Sequence, residues 1–275
     1  MILNYDKINI SINGDYILAE SASLNQNAER KPVYSLNNSK PYDNIPAPIR
    51  NSLSLTYFIE PKADPSYKLI TGWKNNTTGN LNCIINMGDV LFPAYLDSYS
   101  FDILPNQLVK CQSSYSIFNE LTGTFSNQNI NDSSFYNLQN GTGQAHYWAS
   151  YFTSGSSFTT IDNNILQLNY SFNSNLIPSY KLGSPFPSQV SVIDATEQIN
   201  IVNEIQNNVS FSGQNYNVIF NNGIDNIRLK NLSSLWGDTS KSIDFVLSGF
   251  QIQSNKTDIS IDNLVIFSHN LRKYY

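Results

Sequence analysis

Apolar and polar positions alternate from the beginning of the chain. Ile8, Ile10 and Ile12 lead into Asn13-Gly14, and Tyr16 and Leu18 follow. Asn-Gly tolerates the positive φ angles of a two-residue turn, so the segment predicts a β-hairpin. Leu53, Leu55, Tyr57 and Ile59 alternate with Ser, Thr and Phe, which predicts a half-buried strand. Val218-Ile-Phe220, followed by Asn222-Gly223 and Ile224, gives a second hairpin signal. Runs of Ile, Val, Tyr, Phe and Thr punctuated by Asn, Gly, Pro and Ser continue throughout. Helical periodicity is scarce. The best short candidate is Asn231–Lys241, around Leu232, Leu235 and Trp236.

Laid against itself, the chain shows two ordered matches. Ile17-Leu18, Ser23-Leu-Asn25-x-Asn27 and Pro32-x-Tyr34-x-Leu36-x4-Pro41 return as Ile165-Leu166, Ser171-Phe-Asn173-x-Asn175 and Pro178-x-Tyr180-x-Leu182-x4-Pro187. A second match aligns Phe101-x-Ile103-x2-Asn106 and Ile117-Phe118 with Phe250-x-Ile252-x2-Asn255 and Ile266-Phe267. The repeat also bears on Thr196–Gln206. Ile199, Val202 and Ile205 would suit a helix capped by Thr196. Under the alignment, however, Ile199, Ile201 and Ile205 fall on Leu53, Leu55 and Ile59, which favours a strand.

A duplicated chain of this length divides into residues 1–121 and 158–275, joined by a Ser-, Asn- and Gly-rich connection over 122–157. That connection carries Phe135, Tyr136, Tyr147, Trp148, Tyr151 and Phe152, more aromatic surface than a free tether would hold. It reads as a structured excursion docked on a domain or a neighbouring chain. The fold class expected is mainly β, with two tandem β-sandwich or barrel-like domains and at most one short helix in each.

Composition sharpens this reading. Of 275 residues, 40% are hydrophobic and only 13% charged, about half the globular norm. The longest apolar clusters, such as Asp89–Leu96, are far short of the roughly 20 residues of a spanning helix, so no membrane partner is expected. The net charge of −5 argues against a protein that grips phosphates. Met1-Ile-Leu-Asn-Tyr-Asp-Lys7 is broken by charge and reads as neither a secretory nor a lipid address. Cys83 and Cys111 are too few for a disulfide scaffold; two buried thiols are expected, with a single bridge as the alternative.

Candidate chemistry is thin. A Ser-His-Asp arrangement would need His146 or His269, and Gly155-Ser156 does not fit a nucleophile elbow. Asp258 and Asp262 read as surface acids, and no metal-ligand spacing or phosphate loop is present; Gly141-Thr-Gly143 lacks the Lys-Ser/Thr that would follow. Paired carboxylates for glycoside hydrolysis are unspecific among 21 acids. Trp73, Trp148 and Trp236 could form sugar platforms, though core or interface roles are commoner for Trp. Trp73 reads as a residue at the root of the polar loop Lys74–Gly79. No catalytic, cofactor-binding or metal-binding residue is assigned, and no enzyme is expected. Few charges with abundant Asn, Gln, Ser, Thr and Tyr suit surfaces that become buried against other copies, since neutral amides and hydroxyls desolvate more cheaply than ions.

The duplicated motif Ser-[Leu/Phe]-Asn-x-Asn…Pro-x-Tyr-x-Leu-x4-Pro, at Ser23–Pro41 and Ser171–Pro187, resembles the tail-tube-type structural proteins of tailed bacteriophages. The resemblance covers both halves but not residues 122–157. It implies a β-sandwich per half with a short flanking helix and a long loop reaching the next subunit. It further implies self-association into trimeric, pseudo-sixfold rings or into hexameric rings, as a tail tube or a tube-like baseplate or terminator ring. DNA would be a partner only by passage through the lumen, and other phage tail proteins would be neighbours. The protein would be assembled in the host cytoplasm and reside in the virion tail. The rival reading is a carbohydrate-binding adhesin or receptor-binding module of a virion.

Overall fold

The computed structural model describes residues 9–58, 64–75, 81–123, 147–152, 165–204, 225–231, 244–259 and 265–275, apart from 18, 28–29, 35, 37–39, 41–42, 47 and 105–108. The fold is mainly β. The N-terminal half contains β1 (Ile10–Ile12), β2 (Asp15–Ile17), β3 (Ala19–Asn25), β4 (Arg30–Val33), β5 (Asp43–Pro46), β6 (Asn51–Phe58), α1 (Pro65–Lys74), β7 (Asn82–Met87), β8 (Val90–Ile103) and β9 (Lys110–Ile117). The remainder contains β10 (Tyr147–Phe152), β11 (Ile165–Tyr180), β12 (Pro187–Glu204), β13 (Asp225–Asn231), β14 (Asp244–Ile259) and β15 (Val265–Tyr274).

The hairpin expected at Asn13-Gly14 is present as β1–β2. Ile12 faces Asp15, and φ is 51° at Asn13 and 86° at Gly14, the left-handed pair that a tight twisted turn requires. The Asn13 side chain also accepts the Ile84 N–H at 2.8 Å, tying the turn to β7. In β6, Leu53, Leu55 and Tyr57 alternate inward as expected. Residues 196–204 are strand, not helix, with Ile199 and Ile201 buried. Ile205, the hairpin signal at residues 218–224 and the helix candidate beyond Asn231 lie outside the described residues; Asn231 itself ends β13. Within the 122–157 connection, β10 pairs with β13.

The described helix, α1, has a local cause. Asp64 stands at the N-cap and its carboxylate accepts the Tyr67 N–H at 3.0 Å, while Pro65 occupies the first turn, where its missing N–H costs nothing. The Asn75 N–H closes the other end onto the Thr71 carbonyl.

Strand order is the informative feature. In the first half the neighbours run β3-β6-β9-β8, with β7 and then β1 attached to β8. In the second they run β11-β12-β15-β14, with β13 and then β10 attached to β14. Every one of these pairings is antiparallel. Registers agree as well. Ala22 faces Leu55 and Leu24 faces Leu53; 146 positions on, Leu168 faces Ile201 and Tyr170 faces Ile199. Leu53 faces Tyr115 across β6–β9, and Ile199 faces Leu271 across β12–β15. Ser100 faces Gln112 in β8–β9, and 156 positions on Lys256 faces Ser268 in β14–β15. The separate pair β4–β5 fits the same offset: Pro32 faces Asn44, as Pro178 faces Val190 in the outer part of the β11–β12 hairpin.

The second sequence match is out of step with these strands. Phe101 pairs with Cys111 and Tyr170, whereas Phe250 pairs with Asp225 of β13. Alternating apolar residues make a seven-residue slip cheap in an alignment, while hydrogen-bonded register does not permit it. The halves also do not stand apart as separate sheets: β8 pairs directly with β11, so all the described strands but β4 and β5 form one continuous sheet. Its main core gathers Ile10, Ile85, Leu53, Leu55 and Ile70 of the first half with Leu168, Tyr170, Phe172, Ile199 and Leu271 of the second.

Candidate functional site: an internal seam and two sheet edges

The seam runs over six register pairs, from Leu168↔Ile103 through Tyr170↔Phe101 to Asn173↔Ser98. Alternation places Leu168, Tyr170 and Phe172 on the core side, all fully buried. Tyr170 stacks on Phe101, and Tyr67 of α1 meets Tyr170 edge-on at 6.0 Å. The opposite side carries Ser98, Ser100 and Asp102 against Asn173, Ser171 and Asn169, with the Asn169 amide donating to Asp102 at 2.5 Å. The same side continues outward through Gln112 and Ser114 of β9, Ser52, Ser54 and Thr56 of β6, and Gln198 and Asn200 of β12. It is a broad face of hydroxyls and amides in which Asp102, Lys110 and Arg272 are the charged register partners of these residues.

A buried ionic cluster braces the seam from the core side. Lys74, at the end of α1, pairs with Glu197 of β12, which also accepts the hydroxyls of Tyr170 at 2.5 Å and Tyr275 at 2.7 Å. Glu197 is fully buried, so these three donors replace the water it gives up. Burial pulls the Lys74 ammonium below the usual lysine range, opposed by the Glu197 charge beside it. Trp73 lies in the last helical turn, where its ring meets Phe172 at 6.0 Å and Tyr275 at 5.5 Å. It is a seam-packing residue, half-buried against the core rather than presented as a flat platform.

A second buried cluster surrounds Asp64. Tyr57 donates to its carboxylate at 3.0 Å, and Tyr57 and Tyr115 both bond Ser66. Burial lifts the Asp64 carboxyl to about 6, against the stabilising bonds from the Tyr67 N–H and the Tyr57 hydroxyl. Enclosed completely, it caps a helix and has no opening toward a substrate. Cys83 and Cys111 are free and buried, and burial pushes the Cys83 thiol up to about 12. An open groove of about 540 Å³ lies over Phe58, Ser100, Asp102, Lys110 and Gln112; Asp102 and Lys110 are register partners there, and the Lys110 ammonium pairs with Glu20 at 2.8 Å.

Among the described residues, the candidates from the sequence do not come together. His269 lies on β15 opposite Ile201 and Asn255; Asp258 lies on β14 opposite Ile266; Trp148 lies on β10 opposite Lys230. His146, Gly141–Gly143, Gly155-Ser156, Trp236 and Asp262 are outside the described residues. Among the described residues no group of three or more His, Cys, Asp or Glu could hold a metal ion, and no helix is long and apolar enough to cross a membrane.

Two projections carry exposed apolar side chains at equivalent positions. Tyr34 and Leu36, just beyond β4, are 61% and 105% exposed; Tyr180 and Leu182, at the tip of β11–β12, are 37% and 106% exposed. The second tip is closed by a turn in which the Ser184 N–H reaches the Lys181 carbonyl, with Gly183 at φ 83°. Near its base, Leu176 and Val190 pack on Phe118 and Tyr95 of the first half.

No family model matches the chain, and no curated protein matches it. Among solved structures, it is similar to a chain from the tail of an empty GTA particle with C6 symmetry. The likeness covers 45% of this chain and 99% of that one, at 14% identity and a TM-score of 0.35.

Proposed function

We propose that the protein is a non-enzymatic structural component of a phage tail, built from a duplicated unit and assembling with copies of itself into rings around a channel. The carrying observation is the recurrence of one antiparallel strand order, in one register, in both halves: β3-β6-β9-β8 and β11-β12-β15-β14. Two such units joined edge to edge within one chain are a pattern that further copies can extend. The duplicated Pro-x-Tyr-x-Leu motif, which resembles tail-tube proteins, supports the tail assignment. Since each chain places two units in the same sheet, three chains supply six units, and a trimeric pseudo-sixfold ring fits better than a hexamer with one half outside.

The polar face, mostly hydroxyls and amides, suits a channel wall for DNA, since such groups neither grip nor strongly repel phosphates. The exposed Tyr-Leu tips suit contacts between stacked rings. Negative-stain electron microscopy of the purified protein, with its mass in solution, tests the reading. Rings or rods are expected; a strictly monomeric protein at high concentration overturns it.

A further inference from the structure

We infer that copies join through one defined edge pair: β3 of one chain adds antiparallel to residues 254–259 of β14 in the next, repeating the internal β8–β11 seam. This rests on the self-assembly reading and names its contact. Strand β8 shows the template. Its first part, Val90–Tyr95, pairs with β7, its last part, Ser98–Ile103, pairs with β11 on that same side, and β9 pairs with residues 95–102 on the other. Strand β14 repeats the arrangement. Residues 244–250 pair with β13 and residues 251–259 with β15; among the described residues nothing pairs with 254–259 on the β13 side. Likewise β3 pairs with β6 on one side, and no described strand lies on the other.

Exposure at equivalent positions agrees. Leu168 and Tyr170, in the seam, are fully buried; their counterparts Ala22 and Leu24, at the chain's own edge, are exposed and half-buried. Phe118 is 2% exposed beneath the base of the β11–β12 hairpin, and its counterpart Tyr274 is 61% exposed. Among the described residues, β3 and residues 254–259 are thus two incomplete halves of a joint that the chain completes once internally. Transferring the seam register by the offsets observed between the halves pairs Ala22 with Ile259, Ser23 with Asp258, Leu24 with Thr257 and Asn25 with Lys256. The occupant of each edge is a second copy of this chain, because no other partner is specified by both strand order and register.

The test is cross-linking of the full-length chain with Ser23→Cys and Asp258→Cys, leaving the buried native thiols in place. Oxidation is expected to give a covalent ladder on a denaturing gel, whereas Ser23→Cys with Ser254→Cys, four positions off register, gives none. Equal cross-linking of both pairs, or none in assemblies that microscopy shows to form, overturns the joint while leaving self-assembly standing. Absence of assembly and of cross-links overturns both. Independently, Ala22→Lys, exposed in the single chain, is expected to abolish assembly without moving the thermal midpoint of the monomer. Tyr274→Ser is expected to weaken assembly likewise, and unchanged assembly in both variants also overturns the joint.

Discussion

Tyr170 stacks on Phe101 with ring centroids 5.1 Å apart and planes 26° from parallel, and the two residues are also register partners across β8–β11. Backbone pairing and ring stacking therefore fix the same contact between the halves. Tyr170→Ala removes a fully buried ring that also meets Tyr67 and Tyr99 and bonds Glu197. It is expected to cost about 3–5 kcal/mol of stability. Tyr170→Phe keeps the packing and loses only the hydroxyl, costing about 1–3 kcal/mol by leaving Glu197 short of a donor. Urea unfolding of both variants measures the difference.

Lys74 and Glu197 join α1 to β12 across 123 positions of sequence. Removing one partner strands the other. Glu197→Ala leaves a buried ammonium and two tyrosine hydroxyls without their acceptor, and is expected to destabilise by about 3–5 kcal/mol. The double variant Lys74→Met with Glu197→Leu replaces the pair by apolar groups and should recover a large part of that loss. A double-mutant cycle by chemical denaturation checks this, with additive losses as the contrary outcome.

How much of this was legible follows from the range of each cause. The Asn13-Gly14 hairpin and the inward alternation of Leu53, Leu55 and Tyr57 are local, and sequence reading finds both. The strand at Ile199 and Ile201 is legible because the aligned Leu53 and Leu55 alternate unambiguously. Helix α1 was missed: Asp64-Pro65 is a sound start signal, but ten residues containing Ile70, Thr71 and Gly72 have little helical propensity to sustain it. The Phe101–Phe250 match misled because alternating Ile, Phe and Ser leave register unspecified until a partner strand fixes it. The burial of Glu197 and the β8–β11 pairing depend on contacts between distant segments, and no nearby residue announces them.

Asp64 makes stability depend on pH. Its folded carboxyl titrates at about 6 against 3.8 for the ordinary group, because burial penalises the charge. The folded state thus holds its proton more tightly, so the contribution is fully present below about pH 4 and is lost as pH rises through 6. Two pH units of difference correspond to about 3 kcal/mol. Asp97, lifted by burial in the same direction, adds to the trend. Asp64→Asn keeps a capping oxygen for the Tyr67 N–H and cannot ionise. Its unfolding free energy, measured in urea from pH 4 to 7, is expected to fall less steeply than that of the unaltered protein. An unchanged slope would show that Asp64 does not carry it.

The exposed tips separate two kinds of contact. Leu36 and Leu182 project fully into solvent at equivalent places, flanked by Tyr34 and Tyr180, and none of the four belongs to the core. Single exposed leucines are ordinary on protein surfaces, whereas the same Tyr-Leu pair exposed at two equivalent places is the kind of apolar feature that suits the stacking contact proposed above. The tip residues take no part in the register pairs proposed between β3 and β14, so lateral joining and stacking should be separable by mutation. Leu36→Ser with Leu182→Ser removes no buried contact and is expected to shift thermal unfolding by no more than about 2 °C, since surface changes lie within about 0.5 kcal/mol. Rings should still form, with rods shortened or absent in negative stain. Rods of unaltered length in this variant would remove the tips from the stacking contact, and loss of the rings themselves would place the tips in the lateral one.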